Sequence, residues 1–370
     1  MTRSCVKRRN VVSILLCTAL FVCSISCSKH KNSTSSAKFL LQQALDENNL
    51  PSLSVAVSQN DSIILAEALG FADIENQLEA TEKSVYRVGS ISKSLTATLI
   101  MILKEQKKLD IKAPINDYCQ SFPEKGYEIS SEQLLSHLGG IRHYDFDNIE
   151  TEYYSIKRYS SSAEALDIFK GDSLVAPPGS NYHYSSYGYS ILGCIIENLD
   201  RTSFQKSLKK NVFLSADMFQ STVDMPEQII PNRTRPYETL EDGTWENSRP
   251  VDLSNKYPGG GVLSTPTDLV KFGNTLLQNQ LISEESRLDM WNPRETSDGT
   301  PTNYALGWRV SEDRKEIYHG GSSAGGTAYL YIKPKEKLVI AFCSNGAWST
   351  SRHKFVQDLA ALYDNKSNKQ

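Results

Sequence analysis

The stretch Arg87–Ala97, RVGSISKSLTA, places Ser90 directly after a glycine and three residues before Lys93. Apolar residues then recur three or four positions apart, at Leu95, Leu99, Ile100, Ile102 and Leu103. This pattern predicts that Ser90 opens a helix, with Lys93 one turn further along nearly the same face. A desolvated, neutral lysine can remove the proton of a serine hydroxyl and make it nucleophilic. The alternative is an N-cap serine followed by a solvated lysine, so the pair needs partners elsewhere in the chain.

Length, charge and cysteine content narrow the class of protein. A chain of 370 residues, 39% of them hydrophobic, can form one large domain or a domain with an inserted subdomain. The formal net charge is −3 and basic residues cluster only at the N-terminus, which argues against a nucleic-acid partner. Beyond the N-terminal segment only Cys119, Cys194 and Cys343 are left, and we expect buried free thiols, with one disulfide at most. Their spacing predicts no metal site, and no cofactor motif is seen.

The N-terminus has the order of an export signal. Four basic residues precede the apolar run Val11–Val22, which is followed by SISC at Ser24–Cys27. The cysteine placement resembles a bacterial lipoprotein signal, which implies lipidation of Cys27, although Ser24 stands where leucine is usual. An uncleaved membrane anchor and an ordinary cleaved signal are the alternatives. We expect residues 1–27 to be a signal segment and the exported chain to be anchored by lipid to a membrane of a bacterial cell envelope.

Strand patterns occur near both ends of the body, and helices dominate between them. Ser52–Asp73 and Gly325–Asn345 each read as a hairpin, and helical patterns flank them at Ala37–Asn49 and Ser351–Tyr363. The sequence therefore predicts an α/β (α+β) fold in which N- and C-terminal segments form one antiparallel sheet flanked by helices.

The predicted domain occupies residues 39–362, with a mainly helical subdomain inserted at roughly 90–250. A polar tether at 28–38 precedes it, and a tail at 363–370 follows it. The irregular stretch at 142–162 is longer than ordinary loops, which is typical of a substrate site or lid.

Two further segments carry polar residues suited to chemistry. In Pro177–Gly193, Tyr184 and Ser186 are two apart and point the same way if extended, and a phenol near a lysine ammonium can have a lowered pKa and shuttle protons. In Tyr318–Ile332, His319 precedes two glycines that can expose a strand N–H to an oxyanion. The alternatives are a tyrosine-rich packing surface and a glycine-rich turn with a structural histidine.

In this order the three segments resemble the serine β-lactamase and penicillin-binding-protein superfamily, whose signature is Ser-x-x-Lys, Tyr-x-Asn and a Lys/His-x-Gly strand. The tracts KKLDIKAPINDY, ISSEQLLSHLGGIRHY and PGGGVLSTPTDLVKFGNTLL resemble its class C-like branch. PNRTRPY is similar to the mitochondrial β-lactamase-like serine proteases and their bacterial relatives. The resemblance runs from about Phe39 to about Leu362 and implies the fold of that superfamily.

The resemblance also implies roles for individual residues. Ser90 matches the nucleophile that forms an acyl-enzyme, and Lys93 matches the lysine that takes or relays its proton. Tyr184 matches the tyrosine that acts with Lys93 as general base and then protonates the leaving group. His319 matches the residue that orients a substrate carboxylate or the tyrosine. The backbone N–H groups of Ser90 and Ser322 match the oxyanion donors.

Two departures from the signature bear on substrate choice. Ser186 replaces the asparagine of Tyr-x-Asn, and His319-Gly320-Gly321 replaces Lys-Thr-Gly, so a permanent positive charge is lost. We expect Ser186, Gly320 and Gly321 to contact substrate and β-lactamase activity to be weak or absent.

The resulting hypothesis is an exported serine hydrolase without metal or organic cofactor. Its expected substrates are peptides, including D-amino-acid or peptidoglycan-type peptides, or esters. The alternative is a non-catalytic module that captures a peptide or β-lactam without turnover, or a scaffold. His137, Arg142 and His143 are expected to be structural, and Asp145 with Asp147 are too few ligands to indicate a cation site.

Overall fold

The computed structural model of the protein describes residues 35–363. The predicted signal segment with Cys27, most of the predicted tether and residues 364–370 lie outside these described residues. Within them no helix is both long and apolar enough to span a bilayer.

Twelve strands are assigned in the described part of the chain. They are β1 (Ser52–Gln59), β2 (Ser62–Asp73), β3 (Leu78–Glu79), β4 (Tyr86–Arg87), β5 (Thr222–Val223), β6 (Tyr237–Thr239), β7 (Trp245–Asn247), β8 (Val262–Ser264), β9 (Arg309–Val310), β10 (Ile317–Ser323), β11 (Gly326–Lys333) and β12 (Leu338–Ser344).

The α-helices of the same region lie mostly between β4 and β9. They are α1 (35–47), α2 (Ile91–Glu105), α3 (Ser131–Leu135), α4 (Ile149–Glu152), α5 (Ser162–Ala165), α6 (Tyr187–Asp200), α7 (Phe204–Leu208), α8 (Tyr257–Gly260), α9 (Pro266–Leu277), α10 (Glu284–Met290) and α11 (Arg352–Ala361). Short 3₁₀ or π turns occupy Ile115–Asp117, Leu166–Ile168, Lys209–Phe213 and Ser254–Lys256.

One sheet joins the two ends of the domain. Its strand order is β3-β2-β1-β12-β11-β10-β9, with antiparallel pairing between neighbours. The central pair aligns Ala56 of β1 with Ala341 of β12, so the N-terminal hairpin and the C-terminal strands share hydrogen bonds. Both predicted hairpins and the predicted sheet of distant segments are confirmed.

Alternating side chains of the central strands give the sheet two apolar faces. On one face α1 and α11 cover a cluster that includes Leu41, Val57 and Phe355. On the other face, Ala56 belongs to a larger cluster shared with α2, α6 and α9. The sheet is thus a middle layer, and the helical region that carries Ser90 packs on the second face.

The helical region is tied internally by a disulfide between Cys119 and Cys194. The expectation of a buried free thiol is therefore wrong for Cys194, while a single disulfide lies within the limit of one that the cysteine count allowed. The fold brings the loop that carries Cys119 against α6, with the two Cα atoms 5.8 Å apart, which is within bridging reach. Cys343 on β12 is a buried free thiol, as expected.

The packed domain extends slightly beyond its predicted bounds. Helix α1 is assigned from residue 35, and Ala37, placed by the sequence in the tether, is fully buried. Tyr363, placed in the tail, is buried in the cluster under α1 and α11. The polar composition of the predicted tether and tail did not indicate that Ala37 and Tyr363 are buried beside the sheet.

Candidate active site

Ser90 stands at the N-cap of α2, and its side chain makes no capping hydrogen bond. The preceding Gly89 has φ +50°, and a Cβ there would lie 2.6 Å from the backbone N and O of Ser322. Only glycine fits both that backbone conformation and that close approach. The turn therefore presents the Ser90 hydroxyl at the helix end, directly beside strand β10.

Lys93 is fully buried one turn further along α2. Its Nζ lies 3.2 Å from Ser90 Oγ and donates to Ser186 Oγ at 2.9 Å and to the Gly259 carbonyl at 2.6 Å. Burial lowers its pKa well below the ordinary value, and the charges of Lys256 and Arg309 lower it further. The alternative of a solvated lysine is therefore wrong.

A neutral lysine matches these three contacts. An amine has two N–H bonds and one lone pair, and the Gly259 carbonyl can only accept. Donation to Gly259 and Ser186 uses both N–H bonds, which leaves the lone pair for the Ser90 hydroxyl proton. In the neutral form, the lone pair of the amine thus faces the Ser90 hydroxyl.

Tyr184 donates a hydrogen bond from its hydroxyl to Ser90 Oγ at 2.8 Å. Burial raises the pKa of this phenol, with the hydrogen bond to Ser90 opposing the shift. The hypothesis of a lowered Tyr184 pKa is wrong, because burial raises the pKa of the phenol by more than its hydrogen bond to Ser90 lowers it. Ser186, two residues on, reaches the same Lys93 amine, so the two side chains do face one site.

His319 is buried on β10 and lines the same pocket. Its Nδ1 lies 2.7 Å from the Gly320 carbonyl, which only accepts, so Nδ1 carries the proton and Nε2 accepts from the Tyr304 hydroxyl at 2.9 Å. Burial lowers its pKa to about 3, and the charge of Arg309 acts in the same direction. The ring is neutral and both nitrogens are hydrogen-bonded, one of them to the Tyr304 hydroxyl. The expected role of His319, to orient a substrate carboxylate or the tyrosine, stays a prediction.

The backbone of strand β10 packs against the turn that carries Ser90, which we call the nucleophile turn after its predicted role. A Cβ at Gly321 would lie 1.9 Å from the Val88 carbonyl and 2.9 Å from the Ser90 nitrogen. The Ser90 N–H has no acceptor within residues 35–363. The backbones of Ser90 and Ser322 therefore adjoin one another at the edge of the pocket.

The pocket above Ser90 has a volume of about 720 Å³ and two kinds of lining. We call the residues next to Ser186 the loop wall: His143, Tyr144, Phe146, Tyr153 and Lys256. We call those on β10, β11 and α11 the strand wall: Tyr318, His319, Gly320, Ser322, Tyr329, Arg352 and His353. Three cations, Lys256, Arg309 and Arg352, line the pocket, and no aspartate or glutamate of the described region does.

Several of these residues were not predicted from the sequence. Tyr304, Gly259 and Arg352 lie far from the three motifs and touch the site only through the fold. His143 was expected to be structural, yet it lines the pocket and accepts a hydrogen bond from the Ser186 N–H. His137 is packed among tyrosine rings, as a structural residue should be. The glycine run after Tyr257 was the one sequence signal that could have indicated a backbone contact near a ligand.

The acidic pair Asp145 and Asp147 does not form a metal site in the described residues. Asp145 caps its own loop through Asp147 N–H and Asn148. Across residues 35–363 no group of three or more histidine, cysteine or acidic side chains is arranged to hold a metal ion.

Comparison with known proteins shows which family this chain matches. The sequence profile of the Beta-lactamase family matches residues 38–364. The serine beta-lactamase-like protein LACTB, mitochondrial, of Homo sapiens is 30% identical in an alignment of 395 positions that spans 81% of this chain and 72% of the human protein.

Two solved structures share the fold. The octameric penicillin-binding protein homologue from Pyrococcus abyssi has a TM-score of 0.76 at 22% identity and covers 89% of this chain and 77% of its own. The D-amino acid amidase from Ochrobactrum anthropi SV3 has a TM-score of 0.75 at 20% identity and covers 90% of this chain and 100% of its own.

Proposed function

This chain belongs to the Beta-lactamase family of serine hydrolases, and we propose that it is an exported member that cleaves amide or ester bonds through an acyl-enzyme on Ser90. One observation carries the proposal. The Ser90 hydroxyl receives a hydrogen bond from Tyr184 and lies beside the buried amine of Lys93. A serine so placed has an acid and a base within reach of one oxygen.

In the proposed acylation, Ser90 Oγ attacks the substrate carbonyl as Lys93 Nζ takes the hydroxyl proton. The negative charge that develops on the carbonyl oxygen is held by the backbone N–H groups of Ser90 and Ser322. Loss of one such donor typically costs about 3 kcal/mol of transition-state stabilisation. The bond to the leaving group then breaks as Tyr184 gives that group its phenolic proton.

Deacylation reverses these transfers. The acyl-enzyme stage leaves a Tyr184 phenolate near a Lys93 ammonium, an ion pair that offsets the cost of charging two buried groups. The phenolate takes a proton from water as the water attacks the acyl carbonyl. Lys93 then returns its proton to Ser90 Oγ, and both side chains regain their starting states.

We further propose peptides, including D-amino-acid or peptidoglycan-type peptides, or esters as substrates. The similarity in fold to a D-amino acid amidase supports the amide class. Ser186, Gly320 and Gly321 are proposed to contact the substrate, since Ser186 and Gly320 line the pocket and Gly321 adjoins Ser90. The neutral, occupied His319 leaves this position without the cation of Lys-Thr-Gly, which argues against efficient β-lactam hydrolysis.

Export with a lipid anchor on Cys27 is part of the proposal. The Cys119–Cys194 disulfide supports export, because disulfides persist mainly in oxidising compartments. Labelling with a clickable fatty acid tests the anchor: we expect label on the wild type and none on Cys27→Ala. Equal labelling of both would overturn it.

Intact-protein mass spectrometry of residues 28–370 with a fluorophosphonate tests the nucleophile. We expect one adduct on the wild type and on Ser323→Ala, a change at another pocket-lining serine, and none on Ser90→Ala. An adduct on a folded Ser90→Ala variant would refute the assignment. Incubation with a chromogenic ester, a chromogenic cephalosporin and a D-Ala-D-Ala peptide then sorts the substrates, and an adduct that forms but never clears would favour the binding module.

A further inference from the structure

Lys256 is a buried lysine in the loop wall that the proposed mechanism does not use. Its side chain is 3% exposed and lines the pocket above Ser90. Nζ donates to the Tyr153 carbonyl at 2.5 Å and lies 4.4 Å and 4.8 Å from the ring centroids of Tyr153 and Tyr144. Two aromatic faces and one carbonyl thus hold the amine at the pocket surface.

This charge has no carboxylate partner in the described residues. The nearest candidate, Glu152, is already occupied by both terminal nitrogens of Arg142, the Tyr187 hydroxyl and the Asp145 N–H. An ammonium has three N–H donors, and one of them goes to Tyr153. Buried charges are ordinarily paired, so a lysine with unused donors on a pocket wall indicates a partner that arrives with the ligand.

The surroundings of Lys256 disfavour its charge in the free protein. Burial, followed by the charge of Arg87 on β4, lowers its pKa to about 7, and Glu152 on α4 partly opposes this. The other titratable groups that face it are Lys93 on α2 and His143, Tyr144 and Tyr153 of the loop wall. An anion placed beside the amine would raise its pKa and restore the charge, so binding and protonation favour one another.

Resting on the proposed function, we infer that Lys256 is a specificity-determining residue that binds a carboxylate of the substrate. The preferred substrates are then esters or amides with an anionic group that reaches the loop wall.

The other basic side chains that line the pocket are Arg352 of the strand wall and Arg309 on β9. Arg352 Nη1 already donates to the Gly321 carbonyl and to Ser322 Oγ, both at 3.0 Å. The Arg309 guanidinium lies over the Tyr304 ring, 5.6 Å from its centroid. Both guanidinium groups keep unused N–H donors, so a substitution at position 256 is needed to distinguish Lys256 from these two arginines.

Two matched ester pairs test the inference. The first is p-nitrophenyl pentanoate and mono-p-nitrophenyl glutarate, in which a carboxylate replaces the terminal methyl of the acyl chain. The second is phenyl pentanoate and 4-carboxyphenyl pentanoate, in which the leaving group carries the carboxylate. For wild type we expect kcat/KM of the anionic member to exceed that of the neutral member about tenfold in at least one pair, after correction for leaving-group acidity.

Lys256→Met removes the charge and retains an unbranched apolar chain, and Lys271→Met removes a charge from α9 away from the pocket. We expect Lys256→Met to lower the anionic-to-neutral ratio about tenfold, mainly through KM, and Lys271→Met to leave it unchanged. A purely structural role of Lys256 would alter both esters of a pair equally.

The possible outcomes distinguish a failure of the proposed function from a failure of the inference about Lys256. Hydrolysis that survives Ser90→Ala, or no reaction of the wild type with ester or fluorophosphonate, defeats the proposed function. Hydrolysis that depends on Ser90 but shows no anionic preference defeats the inference alone. An anionic preference that Lys256→Met does not reduce also defeats it, and assigns the anion to Arg309 or Arg352. Should Lys256→Met fail to fold by circular dichroism, the wild-type ratio carries the test: it must fall as pH rises through about 7, because only protonated Lys256 attracts the anion. A flat ratio overturns the inference.

Discussion

The two halves of the site contribute in different ways. The helical half, with Ser90 and Lys93 on α2 and Tyr184 before α6, supplies side chains whose polar atoms bond to one another. The sheet half, with Gly321 and Ser322 on β10, supplies backbone that lies against the nucleophile turn. The chemistry of the first half depends on functional groups, whereas that of the second depends on shape.

This difference explains where the family signature is relaxed. In the sheet half, histidine at 319 replaces lysine without disturbing the backbone position of Gly321 beside Ser90. In the helical half, serine at 186 replaces asparagine but keeps an oxygen that receives the Lys93 hydrogen bond. Substitutions should therefore remove activity through lost groups in one half and through added bulk in the other.

The largest expected effect is that of Lys93→Met in the helical half. Loss of the base should lower kcat/KM about 1,000-fold, within the usual range for general-base removal. The same change should raise thermal stability, because it removes the desolvation cost of a buried amine, which we expect to exceed the loss of the hydrogen bonds to Ser186 and the Gly259 carbonyl. Ester hydrolysis and thermal unfolding, measured on the same preparation, check that activity falls and that thermal stability rises.

The stability gain has a defined pH dependence. Since the folded-state pKa of Lys93 lies below its ordinary value, unfolding takes up a proton at intermediate pH. The wild type therefore loses stability relative to Lys93→Met as pH falls from about 10.5 toward the folded-state pKa. A Lys93→Met variant that is less stable than wild type across this pH range would show that Lys93 stabilises the folded protein.

In the sheet half, Gly321→Ala should act through bulk alone. Its Cβ would lie 1.9 Å from the Val88 carbonyl, so strand and nucleophile turn must separate, and we expect about a 100-fold loss of kcat/KM. Gly320→Ala is the matched control, because its Cβ would meet only the Tyr329 ring and the Arg352 side chain, at 3.1 Å and 3.8 Å. We expect less than a tenfold loss there. Equal losses in both variants would contradict the dependence on backbone contact.

The smallest effect on activity is expected from the disulfide that ties the helical half. Cys119→Ala/Cys194→Ala removes a link across 75 residues, which should lower the free energy of unfolding by about 2–4 kcal/mol. Because the bridge does not line the pocket, kcat/KM of the folded variant should stay within about twofold. Urea unfolding with and without reductant measures this, and reductant should shift the wild type but not the variant.

Local patterns predicted much of this arrangement. The hairpin of β1 and β2, the helix that follows Ser90 and the final helix α11 each follow from hydrophobic periodicity, which depends only on neighbours in sequence. The three polar segments were also visible, and the fold brings Ser90, Lys93 and Tyr184 within hydrogen-bonding distance.

What the sequence did not predict correctly concerns the surroundings of individual side chains. A lowered pKa for Tyr184 assumed that a nearby ammonium dominates, whereas burial raises the pKa of the phenol and lowers that of Lys93. The hydrogen bond between His319 and Tyr304, a residue outside the three motifs, was not predicted at all. The thiols of Cys119 and Cys194 gave no sign of pairing because 75 residues separate them.

The sequence by itself determined the elements and the order of the chemical groups, because periodicity, glycine positions and motif spacing are properties of short segments. The tertiary structure alone decided which groups are charged, which hydrogen-bond sites are already filled and which lysine faces the pocket without a partner. The physical reason is that desolvation and pairing depend on every atom within a few ångströms. At Lys93 and Lys256 those atoms come from segments that lie 90 residues or more apart in the chain.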